Sequence, residues 1–167
     1  MIKVFLAVRV LHMLLAALWI GGTAVVVFFL VPAVDDAGPD GGKVMAGLER
    51  HKFMAYMPAL GGLTVLSGLW LIWRFTSGDF ARSSFHMFAT GGVLGLTAAI
   101  IGGSVVGRSA HKISAIAKQA ASTTDAAQRA SLLAQMGPLK ARMKTFGYIV
   151  FFLLLTAFVL MTLGHYV

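Results

Sequence analysis

The chain has 167 residues, 58% of them hydrophobic and 12% charged, whereas soluble domains carry about a quarter of charged residues. This composition predicts one compact membrane domain, and the lack of cysteine excludes disulfides, thiolate metal sites and iron–sulfur clusters. The net charge of +8 would suggest nucleic acid in a soluble protein, but basic loops orient membrane proteins, so we expect no nucleic-acid partner.

Four apolar segments are long enough to be membrane-spanning helices, which need roughly 20 residues. They cover about residues 4–31, 53–74, 86–107 and 146–165. The first is about twice as long as the apolar part of a signal peptide, and we interpret it as a retained span. The pattern predicts an all-α, integral membrane four-helix bundle that occupies residues 1–167 as a single transmembrane domain.

The connections between these spans differ in length and composition. Residues 32–52 contain Asp35, Pro39 and several glycines, which are typical of turns. Residues 108–145 are long, basic and rich in alanine, so we expect a partly helical segment that breaks at residues 122–124. Asp125 then lies in the first turn of a short helix, where an acidic side chain suits the helix dipole.

Lys and Arg residues are concentrated on one side of the predicted bundle. Ten of the fourteen lie in the first and third loops: Lys43, Arg50, Lys52, Arg108, Lys112, Lys118, Arg129, Lys140, Arg142 and Lys144. The other four are Lys3, Arg9, Arg74 and Arg82. Because cytoplasmic loops carry the excess of basic residues, we expect a multi-pass protein of the bacterial inner (cytoplasmic) membrane with both termini outside.

His12 lies within the first apolar run, about 12 Å along the helix from Val4 at 1.5 Å per residue. Ionisable residues inside a membrane are costly and by default indicate a functional site. The topology places His86 and His165 towards the same outer side, whereas His51 and His111 lie towards the cytoplasm. Histidines from three helices at one end of a bundle are typical of a haem or metal site.

Arg9 is one helical turn from His12 towards the surface. It is a candidate partner for a haem propionate, or it extends to the interface as a long basic side chain does. Small residues also recur every four positions in the third span, at Gly91, Gly95, Ala99, Gly103 and Gly107. That spacing predicts close helix packing, and the missing side chains also leave space for a flat cofactor.

Methionines accompany the histidines in sequence. Met13 follows His12, Met87 follows His86, and Met161 is one turn before His165. Thioether and imidazole ligands together suit copper, so a copper site is the alternative to haem.

The first half of the chain resembles the HemJ-type protoporphyrinogen oxidases. The string "LHMLLAALWIGGTAVVVFFLVPAV" is similar to the first span of that family, and "LERHKFMAYMPALGGLTVLSGLWLIW" is similar to its second. The resemblance covers roughly residues 5–90 and implies a haem or porphyrin pocket at the matching histidine. Phe88 stands where that family has a lysine, and "KTFGYIV" replaces its Asn-Glu-x-Pro string before the fourth span. The chain is also similar to four-span proteins of the copper-resistance D type.

These observations predict a membrane protein with one b-type haem near the outer side. His12 and His86 are the candidate axial ligands of the iron, and His165 is the second choice for the partner of His12. We expect electron transfer or a haem-linked oxidoreductase step, with a quinone or a respiratory-chain protein as redox partner. The alternatives are a copper transport or resistance protein, a HemJ-like oxidase, and an accessory subunit or homo-oligomer. No catalytic residue is identified.

Overall fold

The computed structural model of the protein describes residues 2–75, 83–164 and 166. In these ranges the chain forms eight α-helices and no strand: α1 (Ile2–Val25), α2 (Val31–Asp36), α3 (Gly41–Arg50), α4 (Phe53–Phe75), α5 (Ser83–Ile101), α6 (Arg108–Ser122), α7 (Ala126–Ala134) and α8 (Met136–Leu163). Two π-helical segments, Val26–Leu30 and Gly102–Gly107, join α1 to α2 and α5 to α6. A 3-10 turn, Gly38–Asp40, precedes α3. The predicted all-α fold is confirmed.

Four helical stretches are long and apolar enough to cross a membrane. They are Ile2–Asp36, Phe53–Arg74, Phe85–Ser122 and Ala126–Leu163, with mean hydropathy between 1.5 and 2.5 in their most apolar windows. Large apolar side chains cover the outside of the bundle; Phe29 is 69% exposed and Leu66 is 65% exposed. Such a surface suits lipid rather than water. The predicted four-helix membrane bundle is therefore confirmed.

The third and fourth spanning stretches are longer than a membrane crossing needs. Each has 38 residues, whereas about 20 residues of helix cross a hydrocarbon core of about 30 Å. The chain breaks between α6 and α7, where the Asp125 carboxylate accepts hydrogen bonds from the backbone N–H groups of Ala127 and Gln128 at 2.8 and 3.4 Å. Helix α8 begins ten residues before the predicted start of the fourth span. Pro138 does not prevent this, because it lies in the first turn, where a missing N–H breaks no helical hydrogen bond.

Residues 32–52, which the turn residues predicted to be a loop, are largely helical. Pro32 cannot donate a backbone hydrogen bond, and the segment before it is π-helical, with the N–H of Val31 bonded to the carbonyl of Val26. The chain then turns at Gly38, which has a φ of +53°. The turn residues thus mark breaks between short helices rather than one continuous loop.

The spanning helices pack as two pairs, because α1 packs chiefly on α4 and α5 chiefly on α8. Trp19, which is 6% exposed, fixes the first pair: a Cβ atom at Gly61 would lie 2.9 Å from the Cζ2 atom of its indole ring. The core joins both pairs, and its buried residues are Trp19, Leu60, Ala98, Val150 and Leu154. Farther along the first spanning stretch than Trp19, the ring of Phe28 contacts the rings of Tyr148 and Phe151, at centroid distances of 5.4 and 5.0 Å.

The two ends of the bundle differ in what they carry. The terminal end holds the starts of α1 and α5 and the ends of α4 and α8, whereas the basic end holds α2, α3, α6 and α7. At the basic end, Lys118 Nζ and Ser114 Oγ donate hydrogen bonds to the Glu49 carboxylate at 2.6 and 2.9 Å. Both hydrogen bonds favour the charged carboxylate and lower the pKa of Glu49 below its ordinary value, and the bond from Lys118 has the larger effect. This contact fastens α3 to α6.

Candidate functional site

His12 lies on α1 and packs against α4 in the half of the bundle near the terminal end. The side chain is half-buried, and its Nδ1 atom is 3.0 Å from the Thr64 carbonyl oxygen and 3.1 Å from Ser67 Oγ. Gly68 lies directly beneath the ring, since a Cβ atom there would be 2.9 Å from His12 Cε1. The imidazole is thus held by hydrogen bonds on one side and by close packing on another.

The partners of Nδ1 determine which nitrogen of the ring carries the proton. A backbone carbonyl can only accept a hydrogen bond, so Nδ1–H donates to Thr64. The Ser67 hydroxyl uses its single proton towards backbone carbonyls, with the Leu63 carbonyl oxygen at 2.7 Å, and its oxygen can accept from Nδ1 as well. The neutral ring therefore carries its lone pair on Nε2, and no described residue makes a hydrogen bond with that atom. This arrangement leaves Nε2 unprotonated and the ring oriented, which is the form of imidazole that can bind a metal ion.

A cavity of about 420 Å³ lies between the two helix pairs, and His12 is part of its wall. Ligand sites in proteins fall between about 300 and 1,000 Å³ and are mostly apolar with a few placed polar groups. This cavity has that character: apolar side chains from all four spanning helices line it, and Trp19 forms part of its deep end. The described polar residues in its wall are Arg9, His12, Thr64 and Thr162.

Arg9 also lines this cavity, as a half-buried residue three positions before His12 on the same helix. Residues three apart lie on one helix face, so the guanidinium and the imidazole belong to the same wall. Arg9 is nearer the terminal end. The structure therefore brings together two of the predicted site residues, one with a metal-ligating atom and one with a positive charge.

The other predicted histidines are not brought into this group. His86 is exposed, its ring centroid is 5.7 Å from that of Phe85, and it is not among the described residues that line the cavity. His165 lies outside the described residues. His51 and His111 are exposed at the basic end. Within the described ranges, no group of three or more His, Asp or Glu side chains is placed to hold a metal ion.

The small residues of the third span differ in what surrounds them. Gly91 and Gly95 line the cavity together with Gly92. Gly91 also provides close packing, because a Cβ atom there would be 2.8 Å from Met161 Cγ and 3.1 Å from the Ala157 carbonyl oxygen. Ala99 packs against the buried core instead. Space for a ligand and close helix packing therefore coexist on one helix.

Sequence reasoning missed the residues that orient His12. Thr64, Ser67 and Gly68 lie on one face of α4 at helical spacing, and the small size of Gly68 is the available signal for a close contact. Which residue of α1 they contact depends on the register between α1 and α4, and the local sequence does not encode that register.

The fold and the site define an all-α membrane helical bundle with a cavity between its helix pairs and one oriented histidine in the cavity wall. Comparisons of the chain with models of known protein families, with curated proteins and with solved structures found no match.

Proposed function

We propose that the protein binds one b-type haem in this cavity and functions in electron transfer or a haem-linked redox step. The observation that carries this proposal is the oriented imidazole of His12, a residue that lines an apolar cavity and whose Nδ1 is held by the Thr64 carbonyl. Imidazole is a common axial ligand of haem iron, and a carbonyl partner on the other ring nitrogen is the usual means of orienting it.

The cavity residues fit the chemistry of this cofactor. His12 would hold the iron, and the Thr64 carbonyl would keep the ring turned and its Nε2 atom unprotonated. Arg9 would bind a propionate, because a guanidinium recognises carboxylates well and lies on the same wall nearer the terminal end. The apolar walls would exclude water from the macrocycle and so tune the potential of the iron. A bound haem would supply a reversible one-electron couple.

An opening in the side of the cavity supports a lipid-soluble redox partner. Met13 on α1 and Phe158 on α8 both line the cavity, yet they are 52% and 42% exposed on the outside of the bundle. Leu69 on α4 and Val93 on α5 also line the cavity and are 56% and 64% exposed, so the cavity wall is continuous with the lipid-facing surface of the bundle. We propose a quinone as the partner for this reason, with a respiratory-chain membrane protein as the alternative.

The absorption spectrum of the detergent-purified protein, oxidised and reduced, tests the proposal. We expect a red preparation from haem-replete cells, with a low-spin b-type spectrum and about one haem per chain. A short-chain quinol added to the oxidised protein should reduce it. A colourless preparation from such cells would overturn the haem proposal, and a red one that quinol leaves oxidised would overturn the choice of partner.

Copper is the second candidate, because Met13 and Met161 line the cavity together with His12. Thioether and imidazole donors suit Cu(I). This alternative predicts stoichiometric copper and no Soret band in the same preparation, and copper sensitivity on deletion. Porphyrinogen oxidation is supported less well, since Phe88 lines the cavity where the resembling family has its lysine. Complementation of a strain lacking that oxidase would test it.

We further propose that the protein lies in the bacterial cytoplasmic membrane with the terminal end outside. The distribution of Lys and Arg supports this orientation. Because the chain has no cysteine, single introduced thiols can report on it. We expect Lys3→Cys to react with an impermeant maleimide in intact spheroplasts and Lys112→Cys to react only after permeabilisation. The reverse pattern would invert the orientation.

A further inference from the structure

The wall formed by α5 and α8 carries a second side chain with a metal-ligating atom, Met161. It is half-buried on α8, two residues before the helix ends, and it lines the cavity. His12, by contrast, packs on α4 and belongs to the α1–α4 pair. The imidazole and the thioether thus belong to the two helix pairs that enclose the cavity.

The position of Met161 is set by close packing on Gly91 of α5. A Cβ atom at Gly91 would be 2.8 Å from Met161 Cγ and 3.2 Å from its Cε. The sulfur is bonded to both of these carbons, so it also lies near Gly91, and Gly91 lines the cavity. The glycine therefore allows the thioether to lie in the cavity wall.

The other candidate donors are less suited to ligate an iron that His12 already holds. Met13 is adjacent to His12 on the same helix, and a neighbour at that spacing points in another direction. The hydroxyls of Thr64 and Thr162 donate to backbone carbonyls of their own helices, at 2.7 and 2.8 Å. His86 is exposed and outside the described cavity wall.

We infer that Met161 Sδ is the second axial ligand of the haem iron, an inference that rests on the haem function proposed above. A His–Met ligand pair raises the reduction potential relative to two histidines. The assignment therefore predicts that the haem would accept electrons at a comparatively high potential. With two protein donors on its iron, it would not bind small ligands.

Substitution of Met161 by leucine tests the inference, because the swap nearly conserves volume and is tolerated well in packed interiors. Wild-type protein should be low-spin in both oxidation states, and its reduced form should not bind carbon monoxide. Met161→Leu should retain haem through His12, become high-spin and bind carbon monoxide when reduced. Met143→Leu is the matched control, a half-buried methionine on the same helix but outside the described cavity wall, whose loss should leave the wild-type spectrum.

Gly91→Ala provides a second route, since the added Cβ displaces Met161 without changing it. We expect a larger high-spin fraction than in wild type, whereas Gly103→Ala, in the same spanning stretch but outside the described cavity wall and with no neighbour within 4 Å, should not change it. A Met161→Leu protein that stays low-spin and inert to carbon monoxide would overturn the assignment of Met161 alone. A colourless wild-type protein would overturn the haem function with it.

Discussion

The His12→Ala protein should purify without the low-spin b-type spectrum of wild type. In the proposed site the imidazole would be the strongest iron ligand among the described lining residues, and alanine offers no donor atom in its place. The substitution removes the hydrogen bond from Nδ1 to the Thr64 carbonyl, but the hydroxyls of Thr64 and Ser67 keep their helical hydrogen bonds to the carbonyls of Leu60 and Leu63. The measurement is haem content per chain together with the oxidised and reduced spectra.

Two comparisons separate loss of the ligand from loss of the fold. Free imidazole can enter the space left by the side chain, and we expect it to restore part of the low-spin spectrum in His12→Ala. His86→Ala should keep wild-type haem content and spectrum, because His86 is exposed and does not belong to the described cavity wall. A His12→Ala protein with full haem content and an unchanged spectrum would contradict the role of His12. Loss of the low-spin spectrum in His86→Ala would instead indicate that His86 is the second iron ligand.

Much of the architecture could be predicted because a membrane imposes a simple rule on sequence. A backbone in lipid must satisfy its own hydrogen bonds, so long apolar runs are helices, and four such runs make a bundle. The break before Asp125 was equally readable, since an N-cap is a local signal. The start of α8 was predicted less completely, because Pro138 is an ambiguous signal. Proline interrupts the interior of a helix, but it is tolerated in the first turn, where it lies in α8.

The site was only partly predictable, for a different physical reason. His12 stood out because one polar group in an apolar run has an unusual cost. Its partners lie 52 and 55 positions away in the chain, and only the register between α1 and α4 brings them to Nδ1. His86 could be assigned to the correct end of the bundle, but the direction it faces depends on the rotation of α5 about its axis. That rotation depends on the packing of α5 on α8 and α4, for example the contact of Gly91 with Met161, which is 70 residues away in the chain.

Gly68→Ala should weaken haem binding without removing any iron ligand. The added Cβ would lie 2.9 Å from His12 Cε1, which is closer than packed atoms tolerate, and at an ordinary contact distance of 3.5 Å from Nδ1. The ring must therefore move away from α4, and the 3.0 Å bond from Nδ1 to the Thr64 carbonyl lengthens or breaks. Changes to the groups that orient a metal ligand typically cost about 10- to 100-fold in affinity, and we expect a loss of that size here, measured by haem transfer to a competing apoprotein.

Gly62→Ala is the matched control on the same helix, because a Cβ atom there meets nothing within 4 Å. Both substitutions add one methyl group and replace a helical glycine by alanine, so they share any effect of helix propensity. Only Gly68 faces the imidazole. Equal haem affinity in the two variants would contradict a role for the His12–Thr64 contact in cofactor binding. A loss confined to Gly68→Ala would show that haem binding depends on the cavity wall beside the imidazole, where Gly68 lies, and not on helix propensity.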